Sequence, residues 1–194
     1  MKKFAIATTL AVTTSFAAFS FAAPAPKDEK MHTPQGLYID AKETIELMKK
    51  DPKVILVDVR TPAEWQFVGH THQAQIMIPS VFFKYDGYDE KKPRYRSQIN
   101  NDFVSQLEQQ AAKLDADEEA TYILMCRSGA TRAQPAAKML DQYGYKNVYV
   151  MTDGFEGNKT KTGDKAGYRL ENGWKNSGAE WTYDINKENA YLEK

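Results

Sequence analysis

The chain has 194 residues with 26 basic and 26 acidic side chains, so its formal net charge is zero. This balance gives no electrostatic case for binding nucleic acid, which proteins recognise largely by neutralising phosphates. Cys126 is the only cysteine, so the chain cannot form an internal disulfide.

The first residues have the pattern of a secretory signal peptide. Lys2 and Lys3 precede an apolar stretch over residues 4–23, which is broken only by Thr and Ser and ends in small residues. We therefore expect residues 1–22 to be a cleaved signal peptide; the alternative is an uncleaved membrane anchor. Cleavage would leave an exported, periplasmic or similarly located chain with no membrane segment, in which an unpaired thiol is at risk of oxidation.

The remaining chain is long enough for one domain. Residues 23–36 are polar and contain Pro, which predicts a flexible lead-in, and residues 185–194 are expected to be a frayed tail. The domain itself spans 37–184. Two polar segments without periodicity, 84–101 and 158–173, are predicted to be surface loops.

Strands alternate with helices along this domain. Short, continuous apolar runs predict strands that are buried on both faces, as in a parallel sheet. Capping boxes, Pro positions and helical spacing predict the helices. The predicted strands are 54–57, 76–78, 122–125 and 148–150. Three helices are predicted to begin after Asp40, after Thr61, and after Asn100 or Asn101. A fourth helix is predicted after the Cys126 loop, with Pro135 in its first turn and Gly144 at its C-terminal cap.

This alternation indicates an α/β fold with a largely parallel sheet. In such sheets, functional sites lie at the carboxyl ends of the strands. Cys126 and the Asp58–Arg60 segment each follow a predicted strand, so we expect them at the same edge of the sheet.

Cys126 lies between a predicted strand and a predicted helix. Free backbone N–H groups and the positive end of the helix dipole would face it. Arg127 and Arg132 add two cations, and Gly129 would allow the loop amides to turn inward as an anion-binding nest. These features favour a thiolate nucleophile and an anionic substrate. The alternative is a buried structural cysteine followed by an ordinary turn.

Three segments, in order, resemble the signatures of the rhodanese family, and the resemblance covers residues 38–181. It implies a single-domain, exported bacterial sulfurtransferase with a three-layer fold, in which helices flank a central, mostly parallel sheet. The segments are 57–65 (VDVRTPAEW) with Gly69 and His70; 126–129 (CRSG); and 147–150 (NVYV) with 153–157 (DGFEG), Gly173, Trp174 and Gly178.

The resemblance implies a persulfide cycle without a metal or organic cofactor. Cys126 would take sulfane sulfur from a small anionic donor such as thiosulfate and pass it to cyanide or a thiol. A partner protein is also conceivable, since Tyr85, Tyr88 and Tyr95 either form a partner surface or pack on their own domain. The expected site residues are Cys126 as nucleophile; Arg127, Ser128, Gly129, Ala130, Thr131 and Arg132 as the anion-binding loop; and Asp58 and Arg60 in support.

The loop departs from the pattern Cys-Arg-Ser-Gly-x-Arg-Ser of small family members, because Thr131 and Arg132 stand where Arg and Ser are expected. One interpretation is a swap within a loop of ordinary length. The other is a longer Cys-x5-Arg loop, as in related phosphatases and arsenate reductases. Residues 127–131 contain no general acid, which disfavours a phosphatase. A non-catalytic, thiol-bearing binding module is the third hypothesis.

The supporting residues also leave alternatives open. Asp58 is expected to accept backbone N–H bonds from the catalytic loop, with a direct catalytic role as the alternative. Arg60 either faces the anion or pairs with Glu64. His70 is expected to be structural, and with His72 as its only near neighbour no metal site is predicted.

Overall fold

The computed structural model describes residues 23–192, and the predicted signal peptide lies outside these described residues. No helix within residues 23–192 is both long and apolar enough to cross a membrane. The α-helices of this part of the chain are α1 (Ala41–Lys50), α2 (Pro62–Val68), α3 (Phe103–Ala111) and α4 (Ala130–Gln142). The strands are β1 (Leu37–Ile39), β2 (Ile55–Asp58), β3 (Ile76–Met77), β4 (Val81–Asp89), β5 (Arg94–Ile99), β6 (Tyr122–Met125), β7 (Val148–Met151), β8 (Asn158–Lys159) and β9 (Arg169–Glu171).

A parallel sheet of five strands forms the centre of the domain, in the order β1-β7-β6-β2-β3. Its strands are continuous apolar runs because both faces are covered. Val57 and Leu124 face one core, which α3 and α4 cover. Leu56 and Ile123 face the opposite core, which α1 and α2 cover. The predicted three-layer α/β fold is therefore confirmed.

The segment 84–101 is not a loop, and that prediction is wrong. Strands β4 and β5 pair in antiparallel fashion and form a hairpin over most of this segment. Most of its side chains are half-buried or exposed, so no face is consistently apolar and the usual alternation of a half-buried strand is missing. Tyr85, Tyr88 and Tyr95 are exposed, which contradicts the alternative in which they pack on their own domain.

This hairpin begins beside the carboxyl ends of the sheet strands, where the candidate site lies. The backbone N–H of Ser80 donates to the carbonyl of Val59 at 3.2 Å, and that of Asn100 donates to Ser80 at 3.0 Å. Val59 follows the carboxyl end of β2, next to Arg60. The base of the hairpin is thus fixed beside the site.

The segment 158–173 is also partly ordered into strands rather than being a loop throughout. Strands β8 and β9 form a short antiparallel pair, joined by residues 160–168. Both strands are too short to show a periodic pattern, which explains why the sequence did not reveal them.

Two details of the helices differ from the sequence-based expectation. Helix α4 begins at Ala130, so Pro135 lies in its second turn instead of its first. Asp102 is the N-cap of α3, and the Asn100 side chain accepts the N–H of Asp102 at 3.1 Å. The predicted cap of α4 agrees better, because Gly144 follows the helix with a φ of 94°.

Both ends of the described chain lie against the domain. In the predicted lead-in, the carbonyls of Lys30 and His32 accept hydrogen bonds from the Gln134 side chain on α4. In the predicted tail, the Tyr191 ring lies beside Phe82. Near this end of the chain, Trp174 is fully buried, and Trp181 packs partly buried against the same core.

Candidate active site

Cys126 and Asp58–Arg60 lie at the same edge of the sheet, as predicted. Strands β2 and β6 are parallel neighbours, with Asp58 in register with Met125. The backbone N–H of Val59 donates to the carbonyl of Met125 at 3.0 Å and extends this pairing to the residue before the cysteine. Parallel pairing alone therefore places the cysteine beside the acidic and basic residues that follow β2.

The Cys126 side chain is only 1% exposed, and its thiol donates a hydrogen bond to the carbonyl oxygen of Gly129. We expected backbone amides to face the sulfur. In this conformation the partner of Sγ is the Gly129 carbonyl, and the amide cradle stays a prediction.

The segment after β7 supports the cysteine loop. The N–H of Phe155 donates to the carbonyl of Cys126, and the N–H of Glu156 to that of Arg127, each at 2.8 Å. Gly154 fits closely here: with a φ of 62°, a Cβ at this position would lie 2.4 Å from the Cys126 oxygen. Any larger residue would displace the loop, so glycine is required for both its conformation and its size.

Asp153 fixes this supporting segment, a role that the sequence did not reveal. One carboxylate oxygen accepts the N–H of Ala41 at the start of α1 at 2.9 Å, and the other accepts the N–H of Gly173 at 2.7 Å. Burial raises the pKa of Asp153, and the two backbone hydrogen bonds oppose that effect. The residue connects three distant parts of the chain directly behind the loop.

Asp58 and Arg60 form a fully buried ion pair, which corrects both expected roles. The Arg60 Nη2 lies 2.6 Å from an Asp58 oxygen and 2.9 Å from the carbonyl of Gly69. The guanidinium also lies over the ring of Phe155, 3.8 Å from its centre. Asp58 accepts its hydrogen bonds from Arg60, not from the catalytic loop, and Arg60 pairs with Asp58 instead of Glu64. The Arg60 Nη1 is buried and has no hydrogen-bond partner among the described residues. The pair fixes the loop after β2 against Gly69 and Phe155.

Glu64 pairs with Arg132, and both side chains are largely buried. Two guanidinium nitrogens of Arg132 bind the two carboxylate oxygens of Glu64, one of them at 2.7 Å. Burial acts to raise the pKa of Glu64, but the hydrogen bond and charge of Arg132 outweigh it and lower the pKa to about 2. Burial likewise acts to lower the pKa of Arg132, whereas Glu64 and the nearby Cys126 raise it. Arg132 is therefore close to the cysteine, but its fork is already occupied.

The other loop residues lie nearer to solvent. Arg127 is exposed and pairs with Glu156. Ser128 is half-buried, and Thr131 is exposed on the first turn of α4. His70 is buried, and burial lowers its pKa, which favours the neutral, structural form that the sequence analysis expected.

Arg169 is a residue near the site that the sequence analysis missed. It lies on β9, and its Nη1 donates to the carbonyl of Gly157 at 2.6 Å. Burial and the charge of Arg127 lower its pKa, while Glu156 and Cys126 oppose this. No pattern in the sequence pointed to it, because its segment lacks periodicity.

The described residues, 23–192, contain no group of three or more His, Cys, Asp or Glu side chains arranged to hold a metal ion. His70 and His72 lie side by side, with 5.2 Å between ring centres, but have no third such partner in this part of the chain.

Comparison with known proteins assigns this fold and site to a family. The family model of the Rhodanese-like domain matches residues 40–161. Uncharacterized proteins of Rickettsia rickettsii and Rickettsia conorii are each 30% identical to the chain, over 146 and 145 residues; each match covers 75% of this chain and 96% of the relative.

One solved structure supports the architecture, and a second match is weaker. The crystal structure of Rv0390 from M. tuberculosis is 26% identical, with a TM-score of 0.52, and the match covers 75% of this chain and 96% of that one. The polysulfide-sulfur transferase homodimer of Wolinella succinogenes is 21% identical, with a TM-score of 0.41, over 65% of this chain and 72% of that one. The family match includes β2, the cysteine loop and the supporting segment after β7, so this chain belongs to the rhodanese-like domain family.

Proposed function

We propose that this protein is a sulfurtransferase that moves sulfane sulfur through a persulfide on Cys126. The observation that carries the proposal is the position of this cysteine, the sole thiol of the chain. It lies at the carboxyl end of β6, and α4 begins four residues later. Such a position brings helix-terminal N–H groups close to an anionic sulfur.

In the first half-reaction, the Cys126 thiolate attacks the outer sulfur of thiosulfate. A bond forms between Sγ and that sulfur, the sulfur–sulfur bond of thiosulfate breaks, and sulfite leaves with the electron pair. Because the thiolate has no proton to donate, its contact with the Gly129 carbonyl is lost. The loop must also open at this stage, since the buried sulfur is otherwise closed to a donor.

In the second half-reaction, cyanide or a thiolate attacks the terminal sulfur of the persulfide. A bond forms between the acceptor and that sulfur, the persulfide bond breaks, and Cys126 regains its electron pair as a thiolate. Neither step needs an external oxidant or a metal. The partners of the reaction are thus a small anionic donor and a thiophilic acceptor. A partner protein that binds the exposed tyrosines of the β4–β5 hairpin is a further acceptor.

The pairing of Arg132 disfavours the alternative of an oxyanion enzyme. A Cys-x5-Arg loop requires an arginine fork that can bind the substrate oxygens. Both ends of the Arg132 fork bind Glu64 instead. This supports the interpretation of a swap within a loop of ordinary length, with Arg132 bound to Glu64 in the first turn of α4.

We also propose that the mature protein acts after export, because residues 1–22 have a signal-peptide pattern. In an oxidising space, the burial of the Cys126 side chain protects the thiol from oxidation between turnovers. N-terminal sequencing of the protein recovered from the periplasm of a bacterial host tests this. A start near residue 23 supports export, and retention of Met1 in the cytoplasm contradicts it.

Thiocyanate formation from thiosulfate and cyanide tests the enzymatic proposal. We expect turnover by the unaltered protein and none by Cys126→Ala or Cys126→Ser. Urea unfolding of the three proteins serves as the control, because the variants must retain the fold for the comparison to count. Thiocyanate formation by a folded Cys126→Ala variant would show that another group is the nucleophile.

A further inference from the structure

The arginines that surround the cysteine loop are mostly neutralised by carboxylates. Arg60 pairs with Asp58, Arg127 with Glu156, and Arg132 with Glu64. The pairs at Asp58 and Glu64 are also buried, so their guanidinium groups are held in place. An ion pair is neutral as a unit and offers little attraction to a doubly charged donor such as thiosulfate. The cations expected from the sequence are therefore largely unavailable for binding this substrate.

Arg169 differs from these three arginines. Among residues 23–192 it has no carboxylate within ion-pair distance, and its Nη1 is satisfied by the carbonyl of Gly157. Its Nε is buried and has no hydrogen-bond partner in the described part of the chain. The Arg60 Nη1 is unpartnered in the same way, but the Arg60 guanidinium is already paired with Asp58. A buried N–H donor without a partner is unfavourable, which indicates that something else completes it.

The free edge of Arg169 has the geometry that binds two oxygens. Arg60 binds the Asp58 carboxylate through Nε and Nη2, the two nitrogens on one edge of the guanidinium. The contact of Arg169 with Gly157 uses Nη1, so the same Nε and Nη2 edge remains unoccupied. This planar fork suits carboxylate, phosphate and sulfonate groups, which present two oxygens at the matching distance.

Arg169 also lies beside the catalytic loop. Gly157, which accepts its hydrogen bond, directly follows Glu156, and the Glu156 N–H binds the carbonyl of Arg127. The charges of Arg127 and Cys126 both act on the Arg169 guanidinium. The charge of Glu156 also acts on Arg169, but the Glu156 carboxylate is bound by Arg127.

We propose that Arg169 binds the oxyanion end of a sulfonate-type sulfur donor while Cys126 attacks its outer sulfur. This inference rests on the proposed sulfurtransferase function and specifies its donor: a thiosulfate-like anion, whose sulfur–oxygen group fits the free guanidinium edge. Departure of sulfite then breaks the same contact, so Arg169 acts in the first half-reaction and not in the second.

Steady-state kinetics of Arg169→Gln tests this assignment with two donors, thiosulfate and glutathione persulfide. Loss of a charge-assisted pair predicts that KM for thiosulfate rises about tenfold or more. We expect KM for cyanide, and transfer from glutathione persulfide, to change less than about twofold, because neither involves a sulfonate. Arg169→Lys keeps the charge without the fork, and should raise KM for thiosulfate by a smaller factor.

Lys161→Gln is the matched control, since it removes an exposed cation from the segment that joins β8 and β9. It should leave the kinetics unchanged. Thermal unfolding shows whether Arg169→Gln retains the fold; if it does not, Arg169→Lys carries the comparison. An unchanged KM for thiosulfate, or equal losses with both donors, would overturn the role of Arg169 alone. No transfer from either donor by the unaltered protein would overturn the proposed function and this inference together.

Discussion

The buried Glu64–Arg132 pair makes a quantitative prediction about stability and pH. The pKa of Glu64 falls from 4.5 to about 2 on folding. The unfolded chain therefore binds more protons between these two pH values, so the free energy of unfolding rises with pH across this window. At about 1.4 kcal/mol per pKa unit, the Glu64 carboxylate contributes roughly 3 kcal/mol above about pH 5.5.

Glu64→Gln removes this contribution. Urea unfolding at pH 7 should show the variant to be less stable by roughly 3 kcal/mol, because a buried Arg132 also loses its counter-charge. The difference between the two proteins should shrink as the pH falls, by about 2 kcal/mol at pH 3. Glu46→Gln is the control: Glu46 also pairs with a cation, Lys49, but on the exposed face of α1, so we expect no resolvable loss.

A difference between Glu64→Gln and the unaltered protein that stays constant from pH 7 to pH 3 would refute this reasoning. Such a result would mean that the substitution acts through packing and not through the charge of the carboxylate. Equal effects of Glu64→Gln and Glu46→Gln at pH 7 would equally contradict it, because the buried pair would then be worth no more than the exposed one.

Two further predictions concern the residues behind the loop. Gly154→Ala should destabilise the protein by roughly 3 kcal/mol in urea unfolding and abolish sulfur transfer, because the added Cβ would clash with the Cys126 carbonyl. Gly163→Ala is the control, because Gly163 also has a positive φ, of 77°, but no atom lies near its Cβ position. It should cost only about 1 kcal/mol and leave sulfur transfer intact. Arg60→Met should lower the free energy of unfolding by about 3–5 kcal/mol in the same measurement, because it leaves the Asp58 carboxylate buried without its partner. A loss of stability below about 1 kcal/mol would contradict the assignment of a buried Asp58–Arg60 ion pair.

The sequence was sufficient to predict four of the five strands of the central sheet and the position of the cysteine, whereas the short edge strand β1 was not predicted. The runs 54–57, 122–125 and 148–151 are apolar at every position because the sheet is covered on both faces, and this pattern is visible in the sequence alone. The parallel order of the strands then places Cys126 beside Asp58, since both residues stand at carboxyl ends.

The charge pairing at the site could not be derived in the same way. Glu64 and Arg132 are 68 residues apart, and only the fold, which brings the first turns of α2 and α4 together, decides which cation the carboxylate meets. The two hairpins escaped prediction for a different reason. Their strands are short or solvent-facing, so no apolar alternation marks them, and Arg169 could not be placed near Cys126 before β9 was known.

Intact mass spectrometry of the purified protein tests the central claim most directly. After incubation with thiosulfate, the mass should increase by one sulfur atom, and the increase should disappear on addition of cyanide. Cys126→Ser should show no increase under the same conditions. If the unaltered protein gains no sulfur from thiosulfate while its thiol still reacts with an alkylating agent, Cys126 is accessible but does not form the persulfide, and the account of its function is contradicted.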